Sequence, residues 1–155
     1  MDKRTNPITA EQLKSIMPHA KAENIRTYLP YLNETMLRFG IDTAIRQCHF
    51  LAQLAVESGS LRYVRELASG EAYEGRESLG NVFPGDGVKF KGRGLIQLTG
   101  RENYRRFQDW LVLNYTEDID VMTYPELLES PEIAVMVAGW YWEMRNVNAM
   151  ADRDD

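Results

Sequence analysis

The stretch HFLAQLAVESGS, residues 49–60, decides the fold, because an apolar helix gives way there to a turn. Asp42 can cap a helix that we expect over roughly 43–57. Within it, apolar residues recur at helical spacing, namely Ile45, Cys48, Ala52 and Val56. We expect Cys48 to be a small buried hydrophobe. Ser58-Gly59-Ser60 then offers a break at which the chain can turn back.

Helices are also predicted before this stretch. Thr9 and Gln12 form a capping-box pattern that opens a first helix, which Pro18 should end or bend. Residues 21–38 predict a second helix with Pro30 as its weak point, and Gly40 is a stop signal after it.

Helical patterns return towards the C-terminus. A helix is expected over 101–113, and a short one at 124–128. Ser130-Pro131-Glu132 is a strong helix start, with a serine cap, a proline in the first turn and an acid facing the helix dipole. This last helix should run to about Met144.

The middle of the chain differs from the rest in its high glycine content. Residues 58–100 hold nine of the eleven glycines, which favours loops and a short hairpin over long helices. Such a segment buries little and costs backbone entropy, so a chain that keeps it usually uses it for function. We therefore predict a mainly α fold around a polar middle, in one domain over residues 1–155.

Composition excludes several classes of function. The formal charge of −5 argues against nucleic acid, whose binding depends on cationic contacts to phosphate. One cysteine permits no internal disulfide and suits a reducing compartment. There is no run of 18 apolar residues and no apolar stretch after the N-terminus, so we expect neither membrane insertion nor a secretory signal. His19 and His49 lack ligand spacing, so no metal is expected, and no cofactor.

Glu57, at the end of the apolar helix, is the first catalytic candidate. A carboxyl group beside apolar neighbours is poorly solvated, which favours its protonated form, as a general acid requires. The competing interpretation is an ordinary solvated glutamate at a helix end.

Glu66 is the candidate for a second carboxylate. On one continuous helix, nine residues from Glu57 would place it on the opposite side. A turn at residues 58–60 would let it face Glu57, and glycoside hydrolysis uses two carboxyl groups in different environments. A surface ion pair with Arg62 or Arg65 is the alternative role. The alternative carboxylates are Glu71, Glu74 and Glu77.

The stretch GRGLIQLTG, residues 92–100, supplies polar side chains between apolar ones. Leu95, Ile96 and Leu98 should anchor it in the core. Gln97 and Thr99 alternate with them and could face one groove, where an amide and a hydroxyl suit sugar groups or a water. Asn103 follows one helical turn after Thr99. Locally satisfied polar groups in a buried strand are the alternative.

Aromatic residues near the loops are candidate sugar platforms. Those in or beside the glycine-rich segment are Tyr63, Tyr73, Phe83, Phe90 and Tyr104. The three tryptophans lie in predicted helices and are expected in the core, at Trp110, Trp140 and Trp142.

An ordered series of short motifs over about residues 44–145 resembles glycoside hydrolase family 19, in particular its short bacteriophage and prophage endolysins. The motifs are HFLAQ at 49–53 with ESG at 57–59, YEGR at 73–76, LGN at 79–81, PGDG at 84–87, KGRGLIQLTGR at 91–101, and NY at 103–104. A single Gly-Arg-Gly would carry no such weight, whereas the whole series is specific.

The resemblance implies a lysozyme-like helical fold with two lobes around a cleft, and hydrolysis of β-1,4 bonds in N-acetylglucosamine polymers with inversion. By resemblance, Glu57 is the general acid, Glu66 activates the water, and Thr99 helps to hold that water. Gln97 and Asn103 match substrate-binding positions, and we add Tyr73 and Arg93 as substrate contacts. An inverting pair should stand about 6.5–9.5 Å apart.

The resemblance to endolysins favours peptidoglycan as substrate, with chitin hydrolysis or non-catalytic glycan binding as alternatives. We expect a monomer made in the cytoplasm that reaches the cell wall after release by a holin. Two features depart from the family: Val56 stands where plant members usually have histidine, and their second carboxylate lies further from the first. Related sequences also continue into an Asn-Gly-Gly segment, whereas this one stops at Asp155, so we expect a C-terminally shortened member.

Overall fold

A computed structural model of the chain describes residues 7–153. The fold is mainly helical, as predicted. Its α-helices are α1 (Ala10–Ile16), α2 (Ala22–Arg38), α3 (Ala44–Ser58), α4 (Asp86–Lys89), α5 (Arg101–Asn114), α6 (Pro131–Met144) and α7 (Val147–Asp152). Short 3-10 helices lie at Glu71–Tyr73, Glu77–Leu79 and Pro125–Glu129. The predictions about the N-terminal leader and the C-terminal end involve residues 1–6 and 154–155, which lie outside the described residues.

Helix α6 is the central element of the core. Its residues from Ile133 to Trp140 are all buried, so it is apolar on every side, as expected for a helix inside the protein. It packs against α2 at Gly139, where a Cβ atom would lie 2.4 Å from Thr35 Cγ2 and from Phe39 Cδ2. The absent side chain therefore allows the two helices to approach closely.

Helix α3 buries a different face from the one that its small apolar residues suggested. The buried residues are Gln47, Phe50, Leu51, Leu54 and Ser58. The stripe of Ile45, Cys48, Ala52 and Val56 is exposed, so the prediction of a buried Cys48 is wrong. Both faces carry apolar residues, but Phe50, Leu51 and Leu54 remove more apolar area from water and so decide which face turns inward.

Most helix starts and ends agree with the sequence, but the prediction that Asp42 caps α3 is wrong, because the N-cap is Thr43, whose hydroxyl accepts from Arg46 N at 3.3 Å. The capping box of Thr9 and Gln12 is present, and Pro30 lies inside α2 without ending it. Ser130 precedes α6 as predicted, but its hydroxyl donates to Leu127 O instead of capping the helix. Helices α4 and α7 were not predicted, because each is short; α7 also follows Asn146, which adopts a left-handed conformation with φ 55°.

The glycine-rich middle forms loops that lie on α6. The predicted hairpin is reduced to two isolated antiparallel bridges, from Arg93 to Arg65 and to Leu98. Leu95 N donates to Ala134 O at 3.1 Å, and a Cβ at Gly94 would lie 2.6 Å from Val137 Cγ1. The chain can dock this closely on α6 only because residue 94 is a glycine.

Within residues 7–153, no helix is long and apolar enough to cross a membrane. Over the same residues, no group of three histidine, cysteine, aspartate or glutamate side chains is arranged to hold a metal ion.

Candidate active site

A left-handed turn follows Ser58, the last residue of α3 and the neighbour of Glu57. Gly59, Ser60 and Leu61 have φ values of 59°, 58° and 69°, so three successive residues adopt a conformation that is costly for the two that are not glycine. The buried Ser58 hydroxyl donates to Leu54 O at 2.6 Å and accepts from Leu61 N at 2.9 Å. The break predicted at residues 58–60 is therefore confirmed, and the chain reverses there.

Glu57 lies on the wall of a cavity of about 400 Å³. Its side chain is half-buried, and Gln53 Nε2 donates to its Oε1 at 2.9 Å. The other lining residues are Ile96, Tyr141, Trp142, Arg145, Val147 and Met150. The apolar surroundings of the carboxyl group thus come from distant segments, while its sequence neighbour Val56 is 79% exposed.

Glu66 is half-buried, and both of its carboxylate oxygens accept a hydrogen bond. Gly92 N donates to Oε1 at 2.6 Å, and the Tyr73 hydroxyl donates to Oε2 at 3.0 Å. The hydrogen bond to Glu66 raises the pKa of Tyr73, so its hydroxyl remains a donor beyond neutral pH. The two hydrogen bonds fix the orientation of the Glu66 carboxylate, and a carboxylate held in one orientation can act as a general base.

The other carboxylates proposed from sequence have different surroundings. Glu74 accepts from Gly85 N at 2.9 Å and Gly87 N at 2.8 Å, and these bonds lower its pKa. Glu71 and Glu77 are exposed residues at the starts of 3-10 helices. Glu74 therefore fixes a loop, and Glu66 stays our candidate for the second carboxylate.

Neither arginine that could have paired with Glu66 does so. The Arg62 guanidinium lies over the Tyr63 ring at 5.0 Å, and Arg65 Nη1 lies 3.9 Å from Glu129 Oε1. The surface ion pair considered from sequence is not the arrangement in this structure.

Three side-chain oxygens converge around Gly92. A Cβ atom there would lie 3.1 Å from Gln97 Oε1, 3.3 Å from Glu66 Oε1 and 3.3 Å from Thr99 Oγ1. The structure thus brings together three of the residues singled out from sequence. A carboxylate, an amide oxygen and a hydroxyl so close together can orient a single water molecule.

Local backbone geometry aims these side chains. Gln97 has φ 57°, and its Nε2 donates to Gly94 O at 3.0 Å. The Thr99 hydroxyl donates to Gln97 O at 3.0 Å, and Asn103 Nδ2 donates to Thr99 O at 2.8 Å. Gln97 therefore reaches this point through a left-handed turn, and not through the strand alternation that the sequence suggested.

Arg93 is buried under the loop that carries Gly92. It is 8% exposed, and its guanidinium donates to Glu129 Oε2 at 3.0 Å, to Lys89 O at 2.7 Å and to the Tyr104 hydroxyl at 3.1 Å. These bonds hold the segment that carries Gly92, so the structure shows Arg93 as a support for the site. Its direct contact with substrate stays a prediction.

The aromatic residues divide into core and surface. Phe90 and Tyr104 are fully buried and pack edge to face at 5.0 Å, so the expectation that they form sugar platforms is wrong. Tyr73 instead donates its hydroxyl hydrogen bond to Glu66 Oε2. Ile96, expected in the core, is only half-buried and lines the Glu57 cavity.

An ion pair that the sequence did not reveal fixes the base of the loops. Arg101 Nε and Nη2 donate to the two oxygens of the buried Asp86 at 2.7 and 2.9 Å. The Arg101 guanidinium also lies between the rings of Phe83 and Phe90, at 4.6 and 4.9 Å from their centroids. No local pattern marks this pair, because its members are 15 residues apart.

The chain is similar in sequence to several known proteins. No profile of a known protein family matches the chain. A Haemophilus influenzae protein described as containing a glycosyl hydrolase family 19 domain is 28% identical over 90% of this chain and 80% of its own length. An Arabidopsis thaliana endochitinase is 34% identical over 66% of this chain, which spans 33% of that enzyme.

Solved structures agree on the fold. Chitinase C of Streptomyces griseus superposes with a TM-score of 0.67 at 23% identity, over 89% of this chain and 55% of that one. A second bacterial family 19 chitinase superposes with a TM-score of 0.56 at 24% identity, over 87% of this chain and 67% of that one. The fold is thus the lysozyme-like helical fold of a class of glycosidases. By sequence, the chain is similar to a protein with a glycosyl hydrolase family 19 domain and to endochitinases, and by fold it is similar to family 19 chitinases.

Proposed function

We propose that this protein hydrolyses β-1,4 bonds in a polymer containing N-acetylglucosamine, with Glu57 as general acid and Glu66 as general base. The observation that carries the proposal is that the two carboxyl groups have different surroundings. Glu57 stands on a largely apolar cavity wall, whereas Glu66 accepts two hydrogen bonds and meets Gln97 and Thr99 around Gly92. Two carboxyl groups in unlike environments are the usual requirement of this chemistry.

The reaction is a single displacement. Glu57 gives its proton to the glycosidic oxygen, which leaves with the electron pair of the broken C–O bond. Glu66 takes a proton from a water molecule, whose oxygen attacks the anomeric carbon from the opposite face. Glu57 ends ionised and Glu66 protonated, and proton exchange with solvent restores both.

The surrounding residues position these groups. We propose that Thr99 and Gln97 orient the attacking water, because their side-chain oxygens lie beside Glu66 Oε1 around Gly92. Tyr73 holds the second oxygen of Glu66, and Asn103 fixes the Thr99 backbone while offering its amide oxygen to a sugar. Gln53 steadies Glu57 through the bond to its Oε1.

For the substrate we propose bacterial peptidoglycan, with an endolysin-type role at the cell wall. The support is the resemblance of the motif series over residues 44–145 to short phage endolysins. Chitin is the second candidate, because the relatives and structural neighbours include proteins named as chitinases.

Two assays on the purified protein test the activity and its substrate. One follows the turbidity of permeabilised Gram-negative cells, and the other the release of reducing ends from colloidal chitin. Mass analysis of the fragments released from purified sacculi identifies the new reducing end and therefore the bond. Activity on chitin alone would replace peptidoglycan with chitin as substrate.

The variant Glu57→Gln separates an enzyme from a glycan-binding protein on the same fold. An enzyme should lose turnover by about 10²–10⁴-fold while still binding glycan, because only the proton donor is removed. Glu77→Gln, at an exposed carboxyl group, is the matched control and should keep the wild-type rate. A wild-type protein that binds glycan without turnover would support the binding role.

A further inference from the structure

The cavity at Glu57 contains a cation that the two-carboxylate mechanism does not use. Arg145 follows the last residue of α6 and lines the same cavity as Glu57. It is exposed, and its guanidinium lies over the Tyr141 ring, 4.9 Å from the centroid. Stacking on an aromatic face limits the motion of a long side chain and leaves the N–H groups at the rim of the guanidinium able to donate.

Arg145 differs from the two arginines near the site in that it lacks a carboxylate partner among the described residues. Arg93 pairs with Glu129 and Arg101 pairs with Asp86, so their charges are neutralised inside the protein. Within residues 7–153, Arg145 forms no ion pair at salt-bridge distance. The cavity therefore presents a positive group to its contents, in a chain whose formal charge is −5.

The remaining lining matches an acylated sugar. Ile96, Val147 and Met150 add apolar surface, which suits the methyl groups of acetyl and lactyl substituents. A guanidinium recognises a carboxylate through paired hydrogen bonds. Chitin carries no carboxylate, whereas each muramoyl unit of peptidoglycan carries at least one, on its lactyl group or on the attached peptide.

We propose that Arg145 is a specificity-determining residue, which binds a carboxylate of the muramoyl unit held next to Glu57 and so favours peptidoglycan over chitin. This inference rests on the proposed hydrolysis and names its substrate more closely. It assigns Arg145 no proton transfer, so loss of its charge should change the choice of substrate more than the chemistry.

The test compares Arg145→Gln and Arg145→Lys with the wild type on three substrates: intact sacculi, glycan strands stripped of peptide by an amidase, and a neutral chitin hexasaccharide. Arg145→Gln should lower kcat/KM on muramoyl substrates by about 10- to 100-fold, with little change on the hexasaccharide. Arg145→Lys should recover part of the loss. A deficit on stripped strands assigns the contact to the lactyl carboxylate, and one confined to intact sacculi assigns it to the peptide.

Arg38→Gln is the matched control, because Arg38 also stacks on a tyrosine, 5.1 Å from the Tyr115 centroid, but does not line the cavity. It should change none of the three rates. An equal fall of Arg145→Gln on all three substrates, or no change on any, overturns the role of Arg145 while hydrolysis stands. A wild type inactive on every substrate overturns the proposed function itself.

Binding gives a readout that does not depend on turnover. Sedimentation with insoluble sacculi should show weaker binding of Glu57→Gln/Arg145→Gln than of Glu57→Gln, and the difference should shrink as salt is added. Equal binding of the two variants at low salt would contradict the proposed contact.

Discussion

Glu66 and Gly92 are joined by two reciprocal hydrogen bonds: Gly92 N donates to Glu66 Oε1 at 2.6 Å, and Glu66 N donates to Gly92 O at 2.9 Å. The residues are 26 positions apart in the chain. This double link fixes the carboxylate to the loop that also carries Gln97 and Thr99. It makes Glu66 part of one rigid unit with the residues that we propose hold the water.

Replacing Glu66 by glutamine should abolish catalysis and leave the fold intact. The amide oxygen can still accept from Gly92 N, and the Tyr73 hydroxyl can turn to accept from the new amide. Loss of the base should lower the initial rate by about 10²–10⁴-fold. Reducing-end assays measured beside Tm check this.

Glu71→Gln is the control for that variant, since Glu71 is an exposed carboxyl group of the same loop region. It should keep the wild-type rate. A fully active Glu66→Gln, or an equal loss in Glu71→Gln, would remove Glu66 from the mechanism.

Gly92→Ala should impair activity more than stability. The new methyl group would lie 3.1–3.3 Å from oxygens of Gln97, Glu66 and Thr99, which must move by a few tenths of an ångström. We expect a fall of about tenfold in kcat, because small misplacements of reacting groups are costly. The unfolding free energy should fall by only about 1 kcal/mol, because the smaller conformational entropy of the unfolded alanine chain offsets part of the cost of crowding.

Gly40→Ala should behave in the opposite way. Gly40 has φ 66° with nothing within 4 Å of its Cβ position, so the variant is strained but not crowded. It should lose about 1–2 kcal/mol of stability and keep the wild-type rate. Urea titration and kinetics on both variants make the comparison, and a Gly92→Ala enzyme with wild-type kcat would refute the proposed geometry.

Asp86→Asn should destabilise the protein at neutral pH by about 1–3 kcal/mol, because the buried carboxylate holds Arg101 through two charged hydrogen bonds. Those bonds to Arg101 are the main reason that the pKa of Asp86 lies below its ordinary value of 3.8. A carboxyl group with a lowered pKa in the folded state stabilises the protein above its unfolded pKa. That contribution disappears as the pH falls through the folded value.

The difference in unfolding free energy between wild type and Asp86→Asn should therefore be constant from neutral pH down to about pH 4 and narrow below it. Asp109→Asn is the control, since Asp109 forms an exposed pair with Arg105 and should matter by less than about 0.5 kcal/mol. Denaturant titrations at several pH values measure both. A difference that widens on acidification would contradict this account.

Much of the fold could be predicted from local signals. The capping box at Thr9, the stop at Gly40, the break after Ser58 and the proline start of α6 each act within a few residues, and each lies where the structure has it. The buried face of α3 was not predicted correctly, because tertiary packing, and not helical spacing, selects between two apolar faces. Helix α7 was missed because six residues carry too little periodicity.

In the candidate site, too, the residue types could be predicted from the sequence, whereas the long-range contacts could not. Type and order of residues pointed to Glu57, Glu66, Gln97 and Thr99, and the structure gathers the last three around Gly92. The pairing of Arg93 with Glu129 spans 36 residues, and that of Arg101 with Asp86 spans 15. Such contacts depend on how loops return to the core, which no local pattern records. The position of Arg145 on the cavity wall likewise depends on tertiary packing, so no local pattern predicts it.

Gly139→Ala should destabilise the contact between α2 and α6. In a helix, alanine alone would add about 1 kcal/mol relative to glycine. Here its methyl group would lie 2.4 Å from Thr35 Cγ2 and Phe39 Cδ2, so we expect a net loss of about 1–3 kcal/mol. A urea-unfolding cycle with Thr35→Ala should show favourable coupling near 1 kcal/mol, because removing Cγ2 opens part of the space. A more stable Gly139→Ala protein would show that the helices do not approach so closely.

The first product anomer tests the central claim most directly. Time-resolved proton NMR on a β-1,4-linked N-acetylglucosamine oligosaccharide, or on peptide-free glycan strands, resolves the anomeric protons before mutarotation. If Glu66 activates a water that attacks while Glu57 protonates the leaving oxygen, the new reducing end appears first as the α-anomer. A new reducing end that appears first as the β-anomer would mean retention, and would contradict the proposed roles of Glu57 and Glu66.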